Sequence, residues 1–141
     1  MHQYYTHIQL AYFGFIPFLL SVAWQLMAGA NHSAIQAFLF YSVAVMAFLA
    51  GNLWRAGEQS ERAARLSVLA VLPVPALVFV AVEWQIAYLA FCYWLVLGIE
   101  KTTPAWQNYH PEYKKMRLLL TSVIFVCHLF QIAMVFALKT P

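Results

Sequence analysis

The fold is decided by residues 1–54, MHQYYTHIQLAYFGFIPFLLSVAWQLMAGANHSAIQAFLFYSVAVMAFLAGNLW, which contain no Asp, Glu, Lys or Arg. Soluble domains carry charge on about a quarter of their residues, whereas only 9% of this chain is charged. The chain is 64% hydrophobic and has a mean hydropathy of +0.70. Such a composition is typical of a protein whose solvent is a lipid bilayer, crossed several times.

Five stretches between the islands of charge are apolar over nearly the 20 or so residues that a helix needs to cross a bilayer. They run from about Leu10 to Ala28, Ala34 to Trp54, Leu66 to Val82, Trp84 to Ile99 and Met116 to Leu138. Glu83 alone separates the third stretch from the fourth, so these two are predicted to form a hairpin that turns at Glu83. The predicted fold is all-α: one transmembrane domain, residues 1–141, built as a bundle of five helices.

The basic residues predict how this bundle sits in the membrane. Five spans place seven of the eight on the side of the N-terminus: Arg55, Arg62, Arg65, Lys101, Lys114, Lys115 and Arg117. Lys139 is on the other side. Because short cytoplasmic loops are enriched in Lys and Arg, the N-terminus is predicted to be cytoplasmic and the C-terminus periplasmic. Three residues of the last loop are predicted to contact anionic lipid head groups, namely Lys114, Lys115 and Arg117.

The loops on the basic side contain signals for short helices. Residues 56–65 include two acid–base pairs at a spacing of four, Glu58 with Arg62 and Glu61 with Arg65, which favours a helical connector. Thr103-Pro104 and His110-Pro111 each resemble a helix start with proline at the first helical position. The second of these helices is predicted to continue into the fifth span.

Polar side chains inside the spans are the candidates for a functional site. They are His128, Thr121 and Gln131 on the fifth span and Gln25 on the first. One interpretation is a site for a lipid, a quinone or a small solute around His128. The other, which we favour, is that these groups form hydrogen bonds between helices. Small residues predicted to allow close helix packing are Gly14, Ala44, Ala47 and Gly51.

Several classes of function are disfavoured by the residues themselves. A haem held by two histidines needs both at matching depth, and His128 is the only histidine deep in a span. No HxxxH or CxxC pair offers metal-ligand spacing, and Cys92 and Cys127 both fall inside apolar stretches. Basic residues that flank spans are explained by topology, which argues against nucleic-acid binding. We therefore expect no cofactor, no metal and no enzymatic activity.

Four segments, in order, resemble a family of small bacterial inner-membrane proteins with a mitochondrial membrane relative, the domain of unknown function 3429. They are Tyr12–Phe18 (YFGFIPF), Phe48–Trp54 (FLAGNLW), Ser67–Leu69 (SVL, with prolines following) and Pro104–Thr121, which begins PAW and ends RLLLT. Leu53 stands where the family tends to have His, and residues 108–112 look like an insertion. The resemblance implies the topology and a bacterial inner membrane, because no activity is assigned to the family.

The leading hypothesis is a non-catalytic accessory, stabilising or assembly subunit of a larger inner-membrane complex. It rests on helix faces rich in small and aromatic residues, which suit contacts with the bilayer and with membrane-protein partners. The alternatives are the lipid, quinone or small-solute site around His128 and, after it, a subunit of a haem or metal redox complex. The identity of a partner, any ligand and the oligomeric state do not follow from the sequence.

Overall fold

A computed structural model describes residues 2–54 and 60–139, with side chains from Tyr5 onward, and all regular structure in these ranges is helical. The elements in chain order are α1 (His2–Phe13), α2 (Phe15–Ala28), α3 (His32–Gly51), α4 (Glu61–Val71), a 3₁₀ segment (Val74–Phe79), α5 (Val82–Lys101), α6 (Pro104–Gln107) and α7 (Pro111–Lys139).

Five helical stretches are long and apolar enough to cross a membrane, which confirms the predicted number of spans and the all-α fold. They are Tyr5–Ala28, His32–Gly51, Glu61–Phe79, Val82–Lys101 and Pro111–Lys139. The third begins five residues before the predicted position, because the predicted connector is already part of α4. Its pair Glu61–Arg65 is present at 3.2 Å, whereas the predicted pair of Glu58 with Arg62 lies outside the described residues.

The helix starts follow from local chemistry. Asn31 precedes α3, and its side-chain oxygen accepts a hydrogen bond from the backbone N–H of Ala34 at 3.1 Å. Pro104 and Pro111 occupy the first positions of α6 and α7, as predicted. The hydroxyl of Thr103 does not cap α6, since it donates to the carbonyl of Glu100 at 2.7 Å instead.

Prolines interrupt the first and third spans. Pro17 has no N–H to donate to the carbonyl of Phe13, and the helix breaks at Gly14, between α1 and α2. In the third span α4 ends at Val71, and the chain continues through Pro73 into the 3₁₀ segment. The hairpin turn that follows falls at residues 80–81, so Glu83 lies in the first turn of α5 and not in the turn itself.

The core lies where α5 and α7 pack along each other, with α2 and α3 closing it on one side. Its largest buried apolar side chains include Phe18, Phe38, Met46, Leu89 and Ile124. α4 packs against α5 and α3, and the Tyr88 hydroxyl donates to the carbonyl of Ala70 at 2.6 Å. We call the end of the bundle that holds the start of α7 the basic end. At the opposite end, Lys139 forms an ion pair with Glu83.

Candidate functional site

The first polar group in the core is a cluster of His128, Ser42 and Tyr93, which we call the histidine cluster. All three side chains are buried. His128 Nδ1 lies 2.7 Å from the carbonyl oxygen of Ile124, and Nε2 lies 2.6 Å from Ser42 Oγ. The Tyr93 hydroxyl donates to the carbonyl of Ser42 at 2.7 Å. The cluster therefore joins α3, α5 and α7.

These contacts fix the protons of a neutral imidazole. A carbonyl can only accept, so Nδ1 of His128 carries the hydrogen and donates to Ile124. Nε2 is then the acceptor, and Ser42 donates to it. The ring also has Phe38 and Tyr93 beside it, with ring centroids 4.8 Å and 5.2 Å away. Both nitrogens of His128 are thus used inside the protein, an arrangement that suits the packing interpretation better than a ligand site.

A second group, the glutamine cluster, consists of Gln25, Gln131 and Ser21. Gln25 Nε2 donates to Gln131 Oε1 at 2.7 Å, and Gln131 Nε2 donates to Ser21 Oγ at 3.2 Å. The Ser21 hydroxyl in turn donates to the carbonyl of Ala34 at 3.0 Å. This chain of bonds ties α2 to α7 and α3. It brings together two of the predicted site residues.

Thr121 is buried like the other three, but the structure does not join it to them. It lies two turns from His128 along α7, and its hydroxyl has no hydrogen-bond partner within residues 5–54 and 60–139. The four predicted residues are therefore all buried inside the bundle, but they do not form a single site.

Of the small residues predicted to allow close helix packing, Gly14 lies against another helix of the chain and the other three are exposed. At Gly14, where α2 approaches α3, the Tyr41 hydroxyl donates to the glycine carbonyl at 2.9 Å. Ala44, Ala47 and Gly51 are exposed on α3, and a Cβ added at Gly51 would meet no atom within 4 Å among the described residues. Within the described chain α3 buries its other face, so helix packing at these three positions stays a prediction.

Arg117, which is predicted to contact lipid head groups, is buried in the structure rather than exposed at the surface. Its side chain is only 2% exposed, and Nε donates to Glu100 Oε1 at 2.9 Å. Glu100 is equally buried, in the last turn of α5. Because both charges are removed from solvent, each is the counter-ion of the other. Lys115 is exposed and Lys114 is half-buried with its ammonium 5.8 Å from the Trp106 ring centroid, so their contact with lipid stays a prediction.

Beside this ion pair lies a cavity of about 770 Å³ that we call the cleft. Its walls come from α1, the start of α2, the second half of α3 and the first half of α7. Leu10 on α1 and Phe48 on α3 are 62% and 74% exposed at its rim, whereas Phe18 and Ile124 are buried at its floor. The cleft therefore opens sideways from the bundle, between α1 and α3.

The break at Gly14 accounts for this opening. Beyond it, α2 packs against α3 and α7, whereas α1 packs mainly against α7. The two arms of the first span, α1 and α2, thus contact different helices, and α3 is left uncovered next to α1. Tyr41 lines the cleft where the arms meet, and its bond to the carbonyl of Gly14 holds that point of the wall together.

The lining of the cleft changes from polar to apolar along its length. The polar residues His7, Asn52, Tyr109, Tyr113 and Arg117 lie towards the basic end, and apolar side chains line the rest apart from Tyr41. On α7 the lining extends from Tyr113 to Ile124, which corresponds to roughly 16 Å of helix. That is about half of the 30 Å or so of a bilayer's hydrocarbon core, the depth of one leaflet.

Sequence reasoning missed Ser42, Tyr93 and Glu100. Serine and tyrosine inside an apolar span resemble ordinary packing residues, and Glu100 looked like a loop charge because Lys101 follows it. One signal for Ser42 was present in the sequence, since it follows Ile35 and Phe38 at helical spacing and therefore shares their face of α3. The structure buries all three residues.

Groups of three or more His, Cys, Asp or Glu residues that could hold a metal ion are not found in the described part of the chain. Both cysteines, Cys92 and Cys127, are free and buried.

Comparison with known proteins supports the resemblance noted in the sequence. Residues 5–133 match the family described as "Protein of unknown function (DUF3429)". No curated protein and no solved structure gives a significant match to the chain. Since the match covers most of the 141 residues, this five-span chain belongs to the DUF3429 family.

Proposed function

We propose that the protein is a non-catalytic membrane protein that binds one amphiphilic membrane molecule, a lipid or a quinone, in the cleft. The observation that carries this proposal is the shape of the cleft: it opens sideways, is polar at one end and has the depth of one leaflet. A molecule anchored in that leaflet can enter between α1 and α3 with its head towards the basic end. The proposed site is therefore not at His128 but on the other side of Phe18, whose ring lies beside that of His128 and lines the cleft.

The size and the lining of the cleft support binding of this kind. Ligand sites in proteins have volumes of about 300–1,000 Å³ and are mostly apolar with a few polar groups, and the cleft falls within that range. The lining residues include no carboxylate, cysteine or serine that could pair with a base. These side chains are among the usual nucleophiles of enzymes, so a lining without them favours binding without nucleophilic catalysis.

Filling the cleft tests the proposal. The variant Ala44→Phe places a ring in the wall, and the matched control Ala47→Phe adds the same ring to an exposed position of α3 outside the cleft. We expect lipid retained through detergent washing, measured by native mass spectrometry, to fall about tenfold for A44F and to stay near the wild-type level for A47F. Equal retention by A44F and the wild type would reject the cleft as the binding site.

A second candidate is the accessory or assembly subunit. The exposed Ala47 and Gly51 on α3 favour it, because small residues let a second helix approach closely and a Cβ added at Gly51 would meet no atom within 4 Å among the described residues. The variants A44F and A47F also test this candidate, with their roles as test and control exchanged. If a partner chain covers this face, A47F loses the co-purifying chain in native nanodiscs while A44F keeps it. Purification of the wild-type protein without any stoichiometric partner would rule this candidate out.

We further propose that the protein resides in a bacterial inner membrane with the basic end in the cytoplasm. The bias of Lys and Arg supports this orientation. Since Cys92 and Cys127 are buried, single cysteines introduced at exposed positions report cleanly. A membrane-impermeant maleimide added from the periplasm is expected to label Lys139→Cys and to leave Lys115→Cys unlabelled. The reverse pattern would invert the topology.

A further inference from the structure

We propose that the cleft selects an amphiphile with an anionic head group, specifically an anionic phospholipid of the leaflet at the basic end, through Arg117. This inference rests on the proposed function and specifies its ligand. The evidence is a guanidinium in the cleft wall of which one nitrogen is unpaired: Nη1 is buried and has no hydrogen-bond partner in residues 5–54 and 60–139.

The geometry of the guanidinium explains why one acid does not satisfy it. Arginine presents five N–H groups in a planar fork, and Glu100 accepts from Nε at 2.9 Å. The Nη1 amino group points away from Nε, so it needs a second acceptor. A buried donor without a partner is costly, and one on a charged group more so. A phosphate oxygen meets this need well, because hydrogen bonds between ionised groups are the strong ones.

The charge around the polar end favours an anion over a neutral acceptor. Glu100 balances Arg117, but the loops and helix ends on this side carry seven basic residues against four acidic ones by sequence. The opposite end has one of each in the ion pair of Glu83 with Lys139. The basic end thus has an excess of positive charge, which draws a negative head group from the surrounding leaflet. A quinone or a zwitterionic lipid gains nothing from this excess.

The selectivity is tested with the full-length protein in nanodiscs of phosphatidylglycerol mixed equally with phosphatidylcholine. After extraction, the retained lipids are counted by native mass spectrometry. The key variant, Glu100→Gln with Arg117→Gln, removes both charges and keeps similar side-chain volume. The control, Glu61→Gln with Arg65→Gln, removes an exposed ion pair and, like the key variant, leaves the net charge unchanged. Arg117→Lys is a second test variant, since it retains a cation for Glu100 but lacks the fork.

We expect the wild type and the E61Q/R65Q control to retain phosphatidylglycerol over phosphatidylcholine by about tenfold. The E100Q/R117Q variant is expected to retain both lipids within about twofold of each other, and R117K is expected to behave like it. If E100Q/R117Q does not fold, R117K alone decides. Preference lost in the E61Q/R65Q control, or kept in both arginine variants, would overturn the role of Arg117.

The result also separates this inference from the proposed function. If the wild type retains both lipids equally and A44F loses both, the cleft binds amphiphiles and the inference about the head group fails alone. If the wild type retains neither lipid, or if A44F retains as much lipid as the wild type, the proposed function fails and the inference falls with it.

Discussion

Removing either partner of the buried pair of Glu100 and Arg117 is expected to lower the free energy of unfolding by about 3–5 kcal/mol. Each single variant, Glu100→Gln or Arg117→Gln, leaves an uncompensated charge among side chains that exclude water, since both residues are 2% exposed. Replacing both residues by glutamine leaves no charge behind, so the expected loss is about 1 kcal/mol. Reversible unfolding of the purified protein in mixed micelles measures all three values.

The double variant is the internal control of this experiment. Its free energy of unfolding is expected to lie closer to that of the wild type than the values of the single variants do. This difference separates the effect of an unpaired charge from the effect of packing, because the two glutamines fill nearly the same space as Glu100 and Arg117. A further control is the exposed pair of Glu61 and Arg65, where Arg65→Gln is expected to change stability by less than about 0.5 kcal/mol. A loss for the double variant equal to the sum of the two single losses would show that the two buried side chains act independently.

Replacing His128 by alanine is expected to destabilise the protein by about 2–4 kcal/mol. The change leaves a void between Phe38 and Tyr93, whose rings pack on the imidazole, and it removes the acceptor of the Ser42 hydroxyl. The cost of the void does not depend on water, since it arises from lost contacts between neighbouring atoms. Thermal and denaturant unfolding in the same micelles measures the loss.

His128→Phe separates the two contributions to this loss. It retains an aromatic ring for packing but cannot accept a hydrogen bond, so its expected cost is about 1 kcal/mol. Val126→Ala, at a lipid-facing position of the same helix, is the control for a general effect of substitution on α7 and should cost less than about 0.5 kcal/mol. A loss for H128A no greater than for V126A would show that the histidine cluster does not stabilise the core.

The spans were predictable because the hydrocarbon core of the bilayer excludes both water and charged side chains. Apolar runs bounded by charged islands gave five helices, and the proline signals at Pro104 and Pro111 placed two helix starts correctly. The break at Gly14 follows from Pro17 in the same way. These features depend on the local sequence and on the dimensions of the bilayer, both of which are visible without a structure.

The inward face of each helix was not predictable. Lipid tails and a protein core are equally apolar, so the side of a span that meets other helices differs little from the side that meets lipid. Ala47 and Gly51 therefore looked like packing residues and proved to be exposed. Arg117 shows the same limit for charge: a basic residue near a bilayer surface suits both head groups and a buried carboxylate. Only the position of Glu100 on another helix reveals the buried carboxylate beside Arg117.

Buried hydrogen bonds and an ion pair join α7 to three earlier spans, which bears on how the protein is inserted into the membrane. Gln25 and Ser42 belong to earlier spans, yet their side-chain partners Gln131 and His128 both lie on α7. Glu100 likewise finds its arginine on that helix. During synthesis Gln25, Ser42 and Glu100 thus enter the bilayer before their partners on α7 are present. These three bonds can form only after α7 has been inserted beside the earlier spans.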